Sequence, residues 1–133
     1  MKKLTKTLAC ALCALGFLAA LGSAPVAKAA DDNIGSNVAS ISVSSKLTVV
    51  DVESAITQSL IARKWVVRDK SDGQIVAHYQ RGKNVATLTI RYDDTKIDIY
   101  AVGDSRGGGL PMRWIENLRK DIDVYLGRVL LTK

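Results

Sequence analysis

Cysteine, histidine and aromatic residues are scarce in this sequence of 133 residues, which has two cysteines, one histidine, two tryptophans, four tyrosines and one phenylalanine. Both cysteines, Cys10 and Cys13, lie in an N-terminal apolar stretch. Once that stretch is removed, the chain can form neither a disulfide, nor a cysteine nucleophile, nor a thiolate metal site. The length predicts one domain and excludes α/β barrels and complete dinucleotide-binding folds, which need longer chains.

The first 29 residues have the pattern of a secretory signal peptide. Three lysines among the first six residues precede an uncharged, mostly apolar run over residues 8–21, and Ala27 and Ala29 supply the small residues of a cleavage site. The run is shorter than the roughly 20 residues that a membrane-spanning helix needs. We therefore expect cleavage that leaves a chain beginning at Ala30 or Asp31, located in the periplasm or secreted. An uncleaved signal anchor is the alternative.

Removal of the signal peptide changes the charge of the protein. The formal net charge of +6 falls to a near balance, because fifteen basic and thirteen acidic residues lie from Ala30 onward. The basic character is therefore poor support for nucleic-acid binding, and no nucleic-acid partner is expected. Membrane contact is expected only through the signal peptide, with lipidation as the alternative. Cys10 comes early in the apolar run, and Cys13 follows Leu12, so neither has the usual surroundings of a lipidated cysteine.

The exported part divides into a polar, serine-rich leader over residues 30–47 and a single domain over residues 48–133. We interpret the leader as a flexible segment that connects the signal peptide with the domain. The alternation of Ile41 and Val43 with serines leaves a short edge strand as the alternative.

The spacing of apolar residues changes twice along the domain. Between residues 48 and 64 they recur at every fourth position, at Val52, Ile56 and Leu60, which predicts an amphipathic helix. A similar spacing after Pro111 predicts a second helix. Between the two helices, apolar and polar residues alternate, and the connections of two to four residues indicate antiparallel hairpins.

These patterns predict an α+β fold. We expect a two-layer sandwich in which a four-stranded antiparallel meander carries an N-terminal and a C-terminal helix packed on one face. Thr48 and Asp51 have the spacing of a helix capping box, and Trp65 and Trp114 are expected at the seam between helices and sheet. The predicted strands cover residues 65–68, 74–80, 85–92 and 96–102.

Four segments of the chain resemble small, uncharacterised exported proteins and lipoproteins of bacteria with an α-β4-α arrangement. They are Val52–Ile56, Arg63–Trp65, Ile90–Asp93 and Trp114–Leu118. The resemblance covers about residues 50–127 and implies an envelope location without established catalysis. Many such proteins have a lipidation cysteine and an aromatic-Asn-x-Trp motif before the last helix, and this sequence departs from both features.

Catalytic constellations are not visible in the sequence. Gly103-Asp104-Ser105 is similar to the nucleophile block of one esterase class, but the late Asp-x-x-His motif of that class is missing. One histidine and scattered carboxylates do not supply the converging ligands that a metal needs. Asp93 and Asp94 are interpreted as hairpin-turn residues. We expect no enzymatic activity, no catalytic residue, no metal and no cofactor.

The glycine-rich segment 103–111 is the first candidate binding site. Its glycines leave backbone N–H groups accessible, its arginine adds a planar cation, and a helix N-terminus follows. The predicted ligand-binding residues are Ser105, Arg106, Gly107 and Gly108. The Lys-Ser/Thr ending of a phosphate loop is absent, and a flexible connector is the alternative interpretation.

The outward face of the predicted sheet is the second candidate, with His78, Arg91 and Tyr100 as interaction residues. Tyrosine and arginine are favoured anchors at protein interfaces, whereas the mixed charge of this face does not fit a nucleic acid; a solvated face is the alternative. The leading hypothesis is therefore a non-enzymatic module that contacts another envelope protein. The alternative is a small-molecule or anion-binding domain that uses the 103–111 loop and the following helix N-terminus.

Overall fold

A computed structural model describes residues 33–133 of the protein. The predicted signal peptide, residues 1–29, lies outside the described residues. Five strands and two helices follow one another along the described chain. These elements are β1 (Ser36–Ser42), α1 (Val49–Ala62), β2 (Val66–Ser71), β3 (Gln74–Arg81), β4 (Asn84–Tyr92), β5 (Lys96–Asp104) and α2 (Met112–Leu131).

The five strands form one antiparallel sheet in the order β1-β5-β4-β3-β2. Strands β2 to β5 are a meander joined by tight turns, as the hairpin spacing predicts. Helix α1 connects β1 at one edge of the sheet with β2 at the other. Successive side chains of each strand point to opposite sides of the sheet, so one face lies beneath the helices and the other is open.

The expected four-stranded sheet with a helix as the first element is wrong. Strand β1 precedes α1, and it lies within residues 30–47, which the serine content indicated as a leader. Ile41 is only 5% exposed and pairs with Ile97 of β5. Because backbone hydrogen bonds rather than side chains hold a strand in a sheet, a serine-rich segment can cover the edge that β5 would otherwise leave open. The edge strand weighed as the alternative is therefore present, although it ends before Val43.

The hydrophobic core lies between the two helices and one face of the sheet. Helix α1 contributes Val52, Ile56 and Leu60, as the fourfold spacing predicts. The buried strand residues are every second residue of β3, β4 and β5 over most of their length, so the expected two-layer α+β arrangement is confirmed at this level. They are Ile75, Ala77, Ala86, Leu88, Ile90, Tyr92, Ile97, Ile99 and Ala101, and Thr89 is buried outside this alternation.

Both ends of α1 are fixed by hydrogen bonds. At its start the predicted capping box is present: the Thr48 N–H donates to Asp51 Oδ2 at 2.9 Å, and the Asp51 N–H donates to Thr48 Oγ1 at 3.2 Å. At its end the Lys64 N–H donates to the Ile61 carbonyl at 3.0 Å and the Trp65 N–H to the Leu60 carbonyl at 2.9 Å. This second pair is the Schellman motif, in which the first residue beyond the helix is left-handed and is usually glycine. Here that residue is Lys64, with a φ of 64°.

Helix α2 begins one residue after Pro111 and continues through Gly127 to its end at Leu131. Gly127 therefore does not end the helix. The last buried residue of α2, Leu126, precedes it, and Val129 and Leu130 beyond it are partly buried against the core. Between residues 33 and 133, neither helix combines the length and the apolar character that crossing a membrane requires.

Candidate functional site

Three chain segments meet at one end of the sheet and bring three aromatic rings together. Trp65 follows α1, Tyr79 lies near the end of β3, and Trp114 lies in the first turn of α2. The Tyr79 ring is between the two tryptophans, with its centroid 5.4 Å from that of Trp65 and 4.7 Å from that of Trp114. The second pair is edge-to-face, which is a favourable arrangement of aromatic rings. The two tryptophans expected between helices and sheet therefore contact each other through Tyr79.

A cleft of about 490 Å³ opens over these rings. Its volume is in the range of sites that hold small molecules. Most of its lining side chains are either aromatic or positively charged, and none is a carboxylate. The lining residues are Ala62, Arg63, Lys64, Trp65, Tyr79, Arg81, Arg113, Trp114 and Asn117. We call this site the cationic cleft.

One of the four cations in the cationic cleft has an internal partner. Arg63 donates from Nε to Asp121 Oδ2 at 2.6 Å and from Nη2 to Oδ1 at 3.0 Å. This hydrogen-bonded pair raises the pKa of Arg63 and lowers the pKa of Asp121. Within residues 33–133, no carboxylate lies within ion-pair distance of Lys64, Arg81 or Arg113. The cationic cleft therefore has three positive charges that the described chain does not balance.

The chemistry of the lining suits an anionic group attached to a flat or aliphatic part. Arginine forms paired hydrogen bonds with carboxylate and phosphate groups, and lysine attracts the same anions as a compact charge. The faces and edges of the aromatic rings offer an apolar wall for a flat or aliphatic group. The lining contains no histidine, cysteine, aspartate or glutamate, the residue types that most often transfer protons or attack substrates near neutral pH.

The predicted ligand-binding loop, residues 105–108, does not line the cationic cleft. Several of its polar groups already have partners within the chain. The Arg106 N–H donates to Asn84 Oδ1 at 2.8 Å, the Gly108 N–H donates to the Ser105 carbonyl at 2.8 Å, and Ser105 Oγ donates to the Gly108 carbonyl at 3.1 Å. Anion binding by Ser105, Arg106, Gly107 and Gly108 stays a prediction. These contacts occupy the backbone N–H groups of Arg106 and Gly108 but not the guanidinium of Arg106.

The three predicted interaction residues lie on the open face of the sheet, on three neighbouring strands. Arg91 of β4 lies over the ring of Tyr100 of β5, with 5.5 Å from its guanidinium carbon to the ring centroid. It also donates from Nε to Gln74 Oε1 at 3.2 Å. His78 of β3 is further along the sheet, where its Nδ1 is 3.0 Å from Thr87 Oγ1. The structure thus brings Arg91 and Tyr100 together and places His78 apart from them.

A second cleft, of about 350 Å³, lies at the opposite end of the sheet and has mixed charges. Its lysine and aspartate Lys96 and Asp98 form an ion pair at 2.8 Å. Asp93 Oδ1 accepts hydrogen bonds from the backbone N–H groups of Thr95 at 2.7 Å and Lys96 at 2.9 Å, as a turn residue does. Between residues 33 and 133, no group of three or more potential ligands is arranged to hold a metal ion.

The sequence patterns did not identify the cationic cleft, because its residues lie up to about fifty positions apart in the chain. One local signal could have found it. Each tryptophan directly follows a basic residue, in Lys64-Trp65 and in Arg113-Trp114, and Arg81 is two residues beyond Tyr79. Pairs of basic and aromatic residues at three element boundaries indicate a shared site only when the topology places those boundaries at the same end of the sheet.

Comparison of the chain with protein-family models, with curated proteins and with solved structures gives no match. The resemblance to exported bacterial proteins therefore stays an expectation from the residues quoted for it. What the protein binds has to be inferred from the side chains of the cationic cleft and from their surroundings.

Proposed function

We propose that this protein is a non-enzymatic binding module that holds an anionic ligand in the cationic cleft. One observation carries the proposal: three aromatic rings and four cations line a single cleft, and no carboxylate lines it. A ligand that fits has a phosphate or carboxylate group beside a flat or aliphatic part. Export to the periplasm or the medium belongs to the same proposal and rests on the sequence of residues 1–29.

The backbone at Lys64 supports a binding role for this residue. A left-handed conformation costs a residue with a Cβ atom roughly 1 to 2 kcal/mol, which glycine at the same position avoids. Residues held in such conformations cluster at binding sites, where the strain positions a functional side chain. Lys64 has this conformation, lines the cationic cleft and has no carboxylate partner among the described residues.

Docking to another envelope protein through the open face is the second proposal, and the geometry favours it less. The polar side chains of this face already contact one another, as in the pairs of His78 with Thr87 and of Arg91 with Gln74. A partner would therefore find few polar groups that lack contacts. The cationic cleft, in contrast, presents cations that the described chain leaves unbalanced.

The binding proposal is tested by calorimetric titration and thermal unfolding with three probes: AMP, which has both a ring and a phosphate, inorganic phosphate, and adenosine. We expect AMP to bind most tightly and adenosine most weakly. At about 100 times its dissociation constant, AMP adds about 2.7 kcal/mol to the free energy of unfolding. Arg81→Ala and Arg113→Ala should each weaken AMP binding by about tenfold, because each removes a charged hydrogen-bond donor.

Lys46→Ala is the matched control, because it removes one positive charge from an exposed position at the opposite end of the molecule. It should leave the affinity for AMP unchanged. Equal losses in Lys46→Ala and Arg113→Ala would show that only the net charge attracts the probe. Absence of binding by both AMP and phosphate would overturn the proposal.

A further inference from the structure

The end of the molecule that carries the cationic cleft is strongly basic. It consists of residues 61–66, 80–85 and 103–114, which contain six cations and one carboxylate, Asp104. The cations are Arg63, Lys64, Arg81, Lys83, Arg106 and Arg113. We call this end of the molecule the cleft end. Such a concentration of one charge on one end attracts an extended anionic surface as well as a single anion.

The opposite end of the molecule has no such excess. It consists of residues 43–51, 70–75, 91–97 and 129–133, in which five cations face four carboxylates. Lys133 also pairs with Asp51 at 2.9 Å, and Lys70 and Lys96 pair with the nearby carboxylates of Glu53 and Asp98. The positive charge of the domain is therefore directed to one side, which is the side where the cationic cleft opens.

Exposed aliphatic side chains lie beside the cations of the cleft end. Ile61 is 65% exposed, Val66 is 54% exposed and Met112 is 39% exposed, and each is within two residues of a basic residue of the cationic cleft. Apolar side chains next to lysine and arginine are typical of surfaces that bind anionic lipids. The opposite end also exposes Val50 and Leu131, but there the charges balance.

The chain also enters the described domain at the cleft end. Strand β1 begins at Ser36, which pairs with Ala101, three residues before the end of β5. The sequence before it contains the apolar run 8–21 and its three preceding lysines. Any membrane attachment through that run, whether before cleavage or as an anchor, joins the domain at the end that carries the cationic cleft.

From the charge, the exposed aliphatic residues and the point of chain entry, we infer that the cleft end docks on an anionic lipid surface, with a lipid phosphate as the anion in the cationic cleft. This inference rests on the proposed anion-binding function and names the source of the anion. The cations neutralise the headgroups, and the three aliphatic side chains reach the boundary of the acyl chains. A free phosphate compound in solution has the same charge but cannot use the aliphatic contacts.

Vesicle sedimentation of the protein purified from cells, without truncation, tests the inference. Vesicles of phosphatidylcholine are compared with vesicles of equal parts phosphatidylcholine and phosphatidylglycerol. We expect binding to the anionic vesicles to exceed binding to the neutral ones by about tenfold or more, and to weaken as salt is raised. Lys64→Ala and Arg113→Ala should each lower binding to anionic vesicles about fivefold, and Lys46→Ala should not.

The aliphatic residues separate a lipid from a soluble phosphate. Ile61→Ser combined with Met112→Gln should lower binding to anionic vesicles severalfold while leaving the affinity for AMP unchanged. If AMP binds but the vesicles show no preference for anionic lipid, the lipid inference is overturned and the binding function stands. If neither binds, both fail. Equal binding to both kinds of vesicle would come from the apolar run 8–21 and would also overturn the inference.

Discussion

At the residue scale, Lys64 combines local strain with a place in the cationic cleft. Its φ of 64° lies in the left-handed region, at a position of the Schellman motif where glycine is usual. Its N–H still donates to the Ile61 carbonyl, so the motif is complete despite the lysine side chain. Substitutions of Lys64 can therefore be used to measure two properties separately, the stability of the fold and the affinity for an anion.

Replacement of Lys64 by glycine should stabilise the fold and weaken binding. Lys64→Gly relieves the left-handed strain, and after the entropy lost by glycine on folding we expect the free energy of unfolding to rise by roughly 0.5 to 1 kcal/mol. Lys64→Ala keeps the strain and should change stability little. Both variants should bind AMP more weakly. Urea unfolding and titration of the two variants check this, and a glycine variant with unchanged affinity would exclude Lys64 from the site.

A second residue-scale prediction concerns Tyr92, whose hydroxyl donates to Glu53 Oε2 at 2.8 Å beside the ion pair of Glu53 and Lys70. Burial and the neighbouring carboxylate raise the pKa of Tyr92 to about 12. A raised pKa adds stability that is complete below the usual value near 10 and is lost as pH rises towards 12. Tyr92→Phe should be about 1.5 kcal/mol less stable than the wild type at neutral pH, and this difference should shrink between pH 10 and pH 12. Urea unfolding across that range measures it, and a constant difference would contradict the assigned pKa.

At the element scale, β1 shows where the sequence patterns were insufficient. Strands β3 to β5 and both helices follow from apolar spacing, because in each of them side-chain burial repeats with the period of the element. Strand β2 is exposed at every position and follows instead from its β-branched residues and the tight turn after it. In β1 only Ile41 is fully buried, and the serines around it carry no signal that distinguishes a strand from a leader. What holds β1 in place is the unpaired edge of β5, which is a property of the assembled sheet.

Strand β1 should therefore contribute to the stability of the domain. Ile41→Ala removes a buried side chain that packs in the core and should lower the free energy of unfolding by about 2 to 3 kcal/mol. Ser42→Ala, at the neighbouring exposed position, should change it by less than about 0.5 kcal/mol. Chemical denaturation of both variants makes the comparison. Equal stabilities would mean that this segment behaves as a leader in solution.

The cationic cleft was not predicted from the sequence, and anion binding stays a prediction. The hypothesis of anion binding came from a glycine-rich loop next to a helix N-terminus, and the cationic cleft lies by the first turn of the same helix, where Arg113 and Trp114 line it. The remaining lining residues come from the end of α1 and from β3. Their proximity depends on the antiparallel order of the sheet, which the short connections predicted. It also depends on where the helix ends lie over the sheet, which the positions of Arg63, Lys64 and Arg81 in the sequence do not indicate.

At the scale of the whole molecule, the cleft end and the rest of the protein differ in how their charges are balanced. The cleft end has an excess of cations, whereas elsewhere carboxylates are held by hydrogen bonds and ion pairs. Asp51 shows this best: the hydrogen bond from the Thr48 backbone, followed by that from Lys133, lowers its pKa to about 2. Other carboxylates have their pKa lowered in the same way, namely Glu53, Asp93, Asp98 and Asp121.

These lowered pKa values predict loss of stability in acid. A carboxylate with a lowered pKa contributes stability above its usual value near 4, and this contribution disappears as pH falls towards 2. The urea midpoint should therefore be constant near neutral pH and fall between about pH 4 and pH 2. Asp51→Ala should be less stable than the wild type at pH 7, and the difference should narrow at pH 2. A difference that is as large at pH 2 as at pH 7 would contradict the assignment.

The position of the proposed anion site is tested most directly by the two tryptophans, because both line the cationic cleft and the chain contains no others. In a two-dimensional ¹H–¹⁵N spectrum, their indole N–H signals and the backbone amide of Lys64 can be followed during titration with AMP. We expect these three signals to shift together with one dissociation constant, while the amides of residues 105–108 stay in place. Shifts confined to residues 105–108, with both indole signals unmoved, would place the anion in the glycine-rich loop and contradict the account.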